Sequence, residues 1–546
     1  MQAGARVRLV VVALWLVGFG IGQPAAAQIP EVVQRNGRHA RLVDGAPYLV
    51  LGAQVNNSSA WPAVLPKVWP AVRRMHANTV SVPIAWEQIE PTPDRFDFSF
   101  LDTLLTQARE QNVRLILLWF ATWKNNGPNY APEWVKLDNK RFPRVLTGEG
   151  KVLNSLSPHG AATLAADKKA FTTLMRHLKA VDRQHTVIMV QVQNEPGTYG
   201  TARDHSPAAQ KLFQSAVPDA LLRKFNKPRG NWTQVFGADA DEFFHAWSVA
   251  RYIGEVAAAG KAEYPLPMYV NAALRDPFNP GKPGGYASGG PTDNVLDIYR
   301  AAAPAIDIHA PDIYMRESAK ANRVLELYTR ADNPLFVAEI GNDRAYSRYF
   351  FATLGKQGLG FVPFGIDYSG YVNYPLGAKR ADETMVDAFA GSYQLVAPWA
   401  RHWARLSYEN PVWGVAQPDD SADQTLDLNG WRATVSYNQW QFGMKDWNWP
   451  MKIDPPEGRE VPDGGVLIAR IGRNEFLVTG RNARVSFGPA EPLPPHGGFL
   501  MARVEEGHFD DQGQWTFERL WNGDQTDYGL NFTTLPQVLR VKLATY

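Results

Sequence analysis

The sequence predicts an α/β chain: a (β/α)8 TIM barrel followed by a smaller all-β, sandwich-like domain. Three observations lead there. From Tyr48 to Asp367, eight apolar runs rich in β-branched residues recur, separated by longer stretches compatible with helix. Most of these runs are continuous rather than alternating, as parallel strands covered on both faces must be. After about Pro411 the texture changes to short alternating segments divided by Gly, Pro and Asp turns. At 546 residues the chain is too long for one compact core, so two domains are expected.

The first residues read as an address. Arg6 and Arg8 precede the apolar run "LVVVALWLVGFGIG", and "PAAAQ" then offers small residues to a signal peptidase, which places cleavage after Ala27. The run is short for a bilayer span, although an uncleaved anchor is the alternative. The expected organisation is a signal peptide over 1–27, the barrel over 28–410 and the all-β domain over 411–546, in a periplasmic or secreted bacterial protein. With no cysteine, neither disulfides nor thiolate chemistry contribute.

The candidate barrel strands are "YLVLGAQV", "NTVSVPIAW", "VRLILLWFATW", "TVIMVQVQNE", "MYVNAAL", "IDIHAPDIY", "LFVAEIG" and "LGFVPFGID". Amphipathic segments such as "FDFSFLDTLLTQAREQN" and "ADKKAFTTLMRHLKAVDRQH" lie between them. Eight such units predict the barrel; a doubly wound open sheet is the rival. The all-β domain is predicted from "WRATVSYNQW", "GGVLIARIG", "NEFLVTG", "ARVSFG" and "QVLRVKLATY". Its Trp431, Trp440, Trp447 and Trp449 suit either a core or a sugar-stacking platform.

Composition narrows the partner. Lys plus Arg is 56 and Asp plus Glu is 54, a net charge of +2, which gives no reason to expect nucleic acid or an anionic membrane. Aromatics make up 12% of the chain, and their flat faces suit sugars as well as cores. The 11 histidines show no metal-ligand spacing, and there is no Gly-x-Ser-x-Gly elbow. The loop "NPGKPGGYASGGPTDN" lacks both phosphate-loop and dinucleotide spacing and reads as a mobile loop after strand five that could line a sugar site. Neither a cofactor nor a metal is implied. The oligomeric state is not legible.

Chemistry in a parallel barrel sits at the C-terminal strand ends. Glu195 ends strand four in "VIMVQVQNEPGTYG", and Glu339 ends strand seven in "FVAEIGND". Two carboxylates facing one another over a cleft can divide the breaking of a glycosidic bond, one donating a proton and the other attacking the anomeric carbon. The alternative is that each glutamate merely pairs with a buried arginine.

From Pro47 to Tyr374 the chain resembles the retaining glycoside hydrolases on (β/α)8 barrels in which Asn-Glu ends strand four and a second Glu ends strand seven. Within them it is most similar to the β-galactosidases of families 35 and 42. The similarity is carried by "SVPIAWEQIEPTPDRFDFSFLD", "LILLWFATWKNNGPNYAPEWV" and "VQVQNEPGTYG". The resemblance implies Glu195 as acid/base, Glu339 as nucleophile, Asn194 on the sugar 2-hydroxyl and Tyr314 hydrogen-bonded to the nucleophile. Trp119, Trp123, Lys124 and Glu87 are further expected pocket residues. Strand eight departs from the pattern: where those enzymes often place a Trp, it offers only Phe364 and Tyr368, which leaves the sugar open. The expected activity is a retaining exo-β-glycosidase, most nearly a β-galactosidase, acting on a neutral oligosaccharide or β-galactoside. An endo-acting β-glycanase or a barrel that only binds oligosaccharide are the alternatives.

Overall fold

The computed structural model describes residues 28–447, 452–455, 459–510 and 513–546. The expected signal peptide over 1–27 and Trp449 lie outside the described residues. No helix among the described residues is long and apolar enough to cross a membrane.

Eight parallel strands close on themselves, which rules out the open-sheet rival. They are β1 Val50–Gln54, β2 Thr79–Ala85, β3 Arg114–Lys124, β4 Val187–Asn194, β5 Met268–Ala273, β6 Ile308–Ile313, β7 Val337–Ile340 and β8 Gly360–Pro363. Each is followed by a helix: α1 Trp69–Arg74, α2 Ser99–Glu110, α3 Ala161–Val181, α4 Ala240–Glu263, α5 Leu296–Ala302, α6 Ser318–Tyr328, α7 Tyr349–Gly355 and α8 Glu383–Val396. All eight runs read from the sequence are therefore strands.

The two-residue strand period divides the apolar side chains between two layers. Ile116, Leu118 and Phe120 of β3 fill the barrel with Ile188, Tyr269, Ile308 and Ala338, while Leu115, Leu117 and Trp119 pack against the helices. That double burial is why the runs read as continuous hydrophobics. The N-terminal end of the barrel is closed by an antiparallel ribbon, Glu31–Arg35, Arg38–Val43 and Ala46–Pro47, which the sequence did not announce. Its Val43 joins the interior cluster, and Arg41 is fully buried with its guanidinium 4.9 Å from the Phe336 ring.

Beyond the barrel helices, two antiparallel sheets face each other. One has six strands, in the order β9 Val412–Ala416, β12 Gly465–Gly472, β13 Glu475–Arg481, β18 Val538–Thr545, β15 Phe499–Phe509 and β16 Trp515–Leu520. The other has four: β10 Gln424–Asp427, β11 Trp431–Ser436, β14 Ala483–Pro489 and β17 Leu530–Phe532. The alternation of β12 explains the arrangement: Val466 and Ile468 enter the sandwich core, whereas Leu467 and Ala469 join the barrel's apolar cluster. Contact with the barrel is close at α7, where a Cβ on Gly355 would stand 2.1 Å from the Gly414 nitrogen, so only glycine fits. The tryptophan platform does not assemble as four: Trp431 is buried in the sandwich, while Trp440 and Trp447 pack together with ring centroids 5.0 Å apart.

Candidate active site

The end of β4 is strained. Gln193 and Glu195 adopt φ of 65° and 43°, a region that costs a non-glycine residue about 1–3 kcal/mol and persists only where its surroundings over-determine it. They do so here. The Gln193 side chain accepts from the Trp123 backbone N–H at 2.9 Å and donates to buried Asp167 at 2.6 Å. The Glu195 N–H donates to Asn271 Oδ1 at 3.0 Å, and its carbonyl accepts at 3.2 Å from both the backbone and the side chain of Asn126. Gly197 follows with φ of 116°, and a Cβ there would lie 2.7 Å from the Gly290 nitrogen. The strand therefore leaves the barrel in one direction, with the Glu195 carboxyl at the mouth.

Glu339, on β7, is 5% exposed and held from two sides: Gln54 Nε2 donates to Oε2 at 2.7 Å, and the Tyr314 hydroxyl donates to Oε1. Tyr314 is held in turn by the Tyr346 hydroxyl, which donates to its carbonyl at 2.7 Å. Between the two glutamates stands Asp312, the last inward carboxylate of β6. One carboxylate oxygen from each of Glu195, Asp312 and Glu339 lies within 4.8 Å of one from each of the others. Burial first, and the charge of Glu339 second, push the Glu195 carboxyl up to about 7, against the opposing pull of Lys124. Asp312 is raised well above the usual carboxylate range by burial and by both glutamates. The donors from Gln54, Tyr314 and Asn271 already occupy three of the oxygens a cation would need, and Lys124 adds a positive charge.

Asn194 is fully buried, and neither its Oδ1 nor its Nδ2 has a partner. An amide left so at a strand end costs free energy unless something else meets it, and a sugar hydroxyl would.

The structure thus brings together Glu195, Glu339, Asn194, Tyr314 and Lys124. Other expected residues stand elsewhere. Trp119 points out of the barrel, its indole N–H donating to Asp167 of α3 at 2.8 Å, because it occupies the helix-facing parity of β3. Trp123 is likewise buried, donating to the Leu156 carbonyl at 3.2 Å and packing edge-on to Tyr252 of α4. Tyr368 is turned toward the rim between α1 and α8, with Arg74, Glu383 and Asp387 as its charged neighbours, because its backbone N–H is fixed to the Lys67 carbonyl at 3.0 Å. Glu87 receives Lys136 Nζ at 2.7 Å and so ties the β3 loop to the end of β2. Phe364 bridges to Gln54 at the end of β8. The glycine-rich segment after β5 is pinned rather than loose: Thr198 and Ser288 exchange backbone hydrogen bonds at 2.8 and 3.0 Å, and Ser288 is fully buried.

Sequence reasoning missed Gln54, Asn271, Asp312 and Tyr199. The first three are polar residues in the C-terminal halves of largely apolar strands, the same signal that exposed Glu195. Tyr199 is 47% exposed, and the Glu195 charge helps raise its pKa.

Residues 59–249 match the family model described as β-galactosidase of glycoside hydrolase family 42, so the resemblance to family 42 holds over that segment. Residues 389–533 match a domain of unknown function, DUF5597. A β-galactosidase of Xanthomonas manihotis is 27% identical over 199 residues, covering 35% of this chain and 31% of its own length. Among solved structures, β-galactosidases from Marinomonas ef1 and Bacillus circulans sp. alkalophilus are each 13% identical, with TM-scores of 0.48 and 0.46. Each alignment covers 66% of this chain, and 62% and 60% of theirs respectively. An exo-β-1,4-mannosidase from an Opitutaceae bacterium aligns with a TM-score of 0.39 at 14% identity, over 67% of this chain and 61% of that one. The chain spans under a third of the curated relative's length and about three-fifths of these solved chains.

Proposed function

We propose that this chain is an exported, retaining exo-β-glycosidase that acts as a β-galactosidase. One observation carries the reading: Glu195 and Glu339 present oxygens within 4.8 Å of each other at opposing strand ends. Retaining glycosidases hold their two carboxyls about 5–5.5 Å apart, whereas inverting ones need about 6.5–9.5 Å to admit a water. The environments of the pair divide the roles. Glu339 is oriented by two fixed donors, as a nucleophile attacking one face of the anomeric carbon must be. Glu195, pushed up to about 7, holds a proton near neutral pH and can pass it to the leaving oxygen. Water then enters on the leaving-group side, gives its proton back to Glu195 and releases the sugar with its configuration kept. Asn194 meets the 2-hydroxyl through atoms that otherwise have no partner.

Exo action is favoured by two long loops that lock together beside the mouth. The segment after β3 carries the ribbon Arg144–Leu146 and Val152–Leu156, and the segment after β4 carries Asp204. Asp204 accepts from the Leu146 N–H at 3.1 Å and from the Ser157 hydroxyl, while the His205 N–H donates to the Leu146 carbonyl at 2.9 Å. Walls joined this way close one end of a groove and leave room for a terminal sugar. The basic, apolar leader over 1–27 is the ground for export.

The roles are tested by azide rescue. Glu339→Ala, nearly inactive on aryl β-galactosides, should regain turnover with azide and yield the α-glycosyl azide; a β-azide would reverse the two assignments, and no turnover by the wild type on any aryl β-glycoside would overturn the reading.

A further inference from the structure

The third carboxyl of the cluster is not used by the reaction just described. Asp312 is 2% exposed, and its Oδ2 accepts from Asn271 Nδ2 at 2.6 Å, but its buried Oδ1 has no donor. The groups around Oδ1 come from several elements. Glu195 comes from β4, Glu339 from β7, Tyr314 from the turn after β6 and Lys124 from β3, with Tyr269 of β5 and Tyr328 of α6 behind. An ionised Asp312 would set a bare buried oxygen among two other carboxylates, with the Lys124 charge opposing them. A protonated Asp312 turns Oδ1 into a donor; an oxygen of each glutamate lies within 4.8 Å of an Asp312 oxygen, and because both Glu339 oxygens already accept from Gln54 and Tyr314, the acceptor left is Glu195.

We propose that Asp312 is a positioning residue that keeps a proton on Oδ1 throughout turnover and donates it as a hydrogen bond to Glu195. Asn271 couples the pair, since its amide group holds Asp312 through Nδ2 and the Glu195 backbone through Oδ1. No proton leaves Asp312 in the cycle. Its O–H steadies the Glu195 carboxylate that forms when the leaving group takes the catalytic proton, and it spares Glu195 a second charged neighbour. The proposal rests on Glu195 being the acid/base, but its protonation half can be read without any substrate.

Infrared spectroscopy of protein carrying ¹³C only in its aspartate carboxyls provides that reading. At about pH 8.5, well above ordinary aspartate titration, the wild type should show the band of a protonated aspartic acid. Asp312→Asn should remove it and Asp167→Asn should not. Absence of the band, or its survival in Asp312→Asn, overturns the proposal. Should Asp312→Asn fail to fold, Glu195→Gln must shift the band by changing its acceptor, and an unmoved band is equally fatal. Kinetics supply the second arm. Because Asn keeps a neutral donor, the basic limb of kcat/KM in Asp312→Asn should stay within about 0.3 pH unit of wild type. Loss of a charged neighbour would instead lower it by about one unit or more, which would show that Asp312 is ionised. If no glycoside is cleaved at all, the function fails while the infrared result still decides the protonation of Asp312.

Discussion

If Glu195 is the acid, its protonation sets the alkaline side of the activity profile, and the size of the effect follows from its position. Burial and Glu339 place its pKa at about 7. The active, protonated fraction is then about ten-elevenths one unit below that value and about one-hundredth two units above it, a fall of roughly 90-fold for a single titrating group. This fall should be seen in kcat/KM for an alkyl or sugar leaving group, measured by reducing-sugar release. On a dinitrophenyl glycoside, whose leaving group needs little protonic help, the limb should be shallow. Glu195→Ala should abolish the limb and cost about 10²–10⁴-fold on the poor leaving group, with far less loss on the good one. Lys124 supplies a sign test. Its charge favours the ionised form of Glu195, so Lys124→Met should raise the pKa and carry the limb to higher pH by about half to one unit. A limb that survives in Glu195→Ala, or that moves to lower pH in Lys124→Met, would refute the assignment.

Three further outcomes are expected. Proton NMR of early hydrolysis of a β-galactoside should show the β-anomer first, and a first-formed α-anomer would exclude retention. Trp119→Phe removes one of the donors to buried Asp167, so urea unfolding should reveal a loss of about 1–3 kcal/mol while KM stays unchanged. His245 and His309 are buried with pKa values lowered to about 3, and His159 to about 4, mainly by burial. Between the ordinary value of about 6.5 and about 4 the unfolded chain binds protons that these sites refuse. The contribution of these histidines to stability is therefore complete above about pH 6.5 and should fall on acidification by up to about 1.4 kcal/mol per pH unit for each, read by denaturant unfolding of the wild type against His309→Asn across that range.

The repeating pattern of this chain determined the barrel. Eight runs apolar on both faces can be satisfied only as covered parallel strands, and a carboxylate at the end of such a run has nowhere to go but the mouth, so the positions of Glu195 and Glu339 are legible in the sequence. The alternation after Pro411 determined the two antiparallel sheets for the same reason. What the pattern could not carry was the direction of a side chain once a strand ends. Trp119 and Trp123 share a segment with Lys124, yet strand parity and the hydrogen bonds to Asp167 and Leu156 turn both indoles toward the helix layer, while the charge of Lys124 reaches the carboxylates. Nor could one sequence position reveal that Gln54, Asn271 and Asp312, from three different strands, converge on the two glutamates. Each looks like an isolated polar residue along the chain. Closure of the barrel makes them neighbours, and burial together in a space of low polarity is what decides which carboxyls keep a proton and which do not.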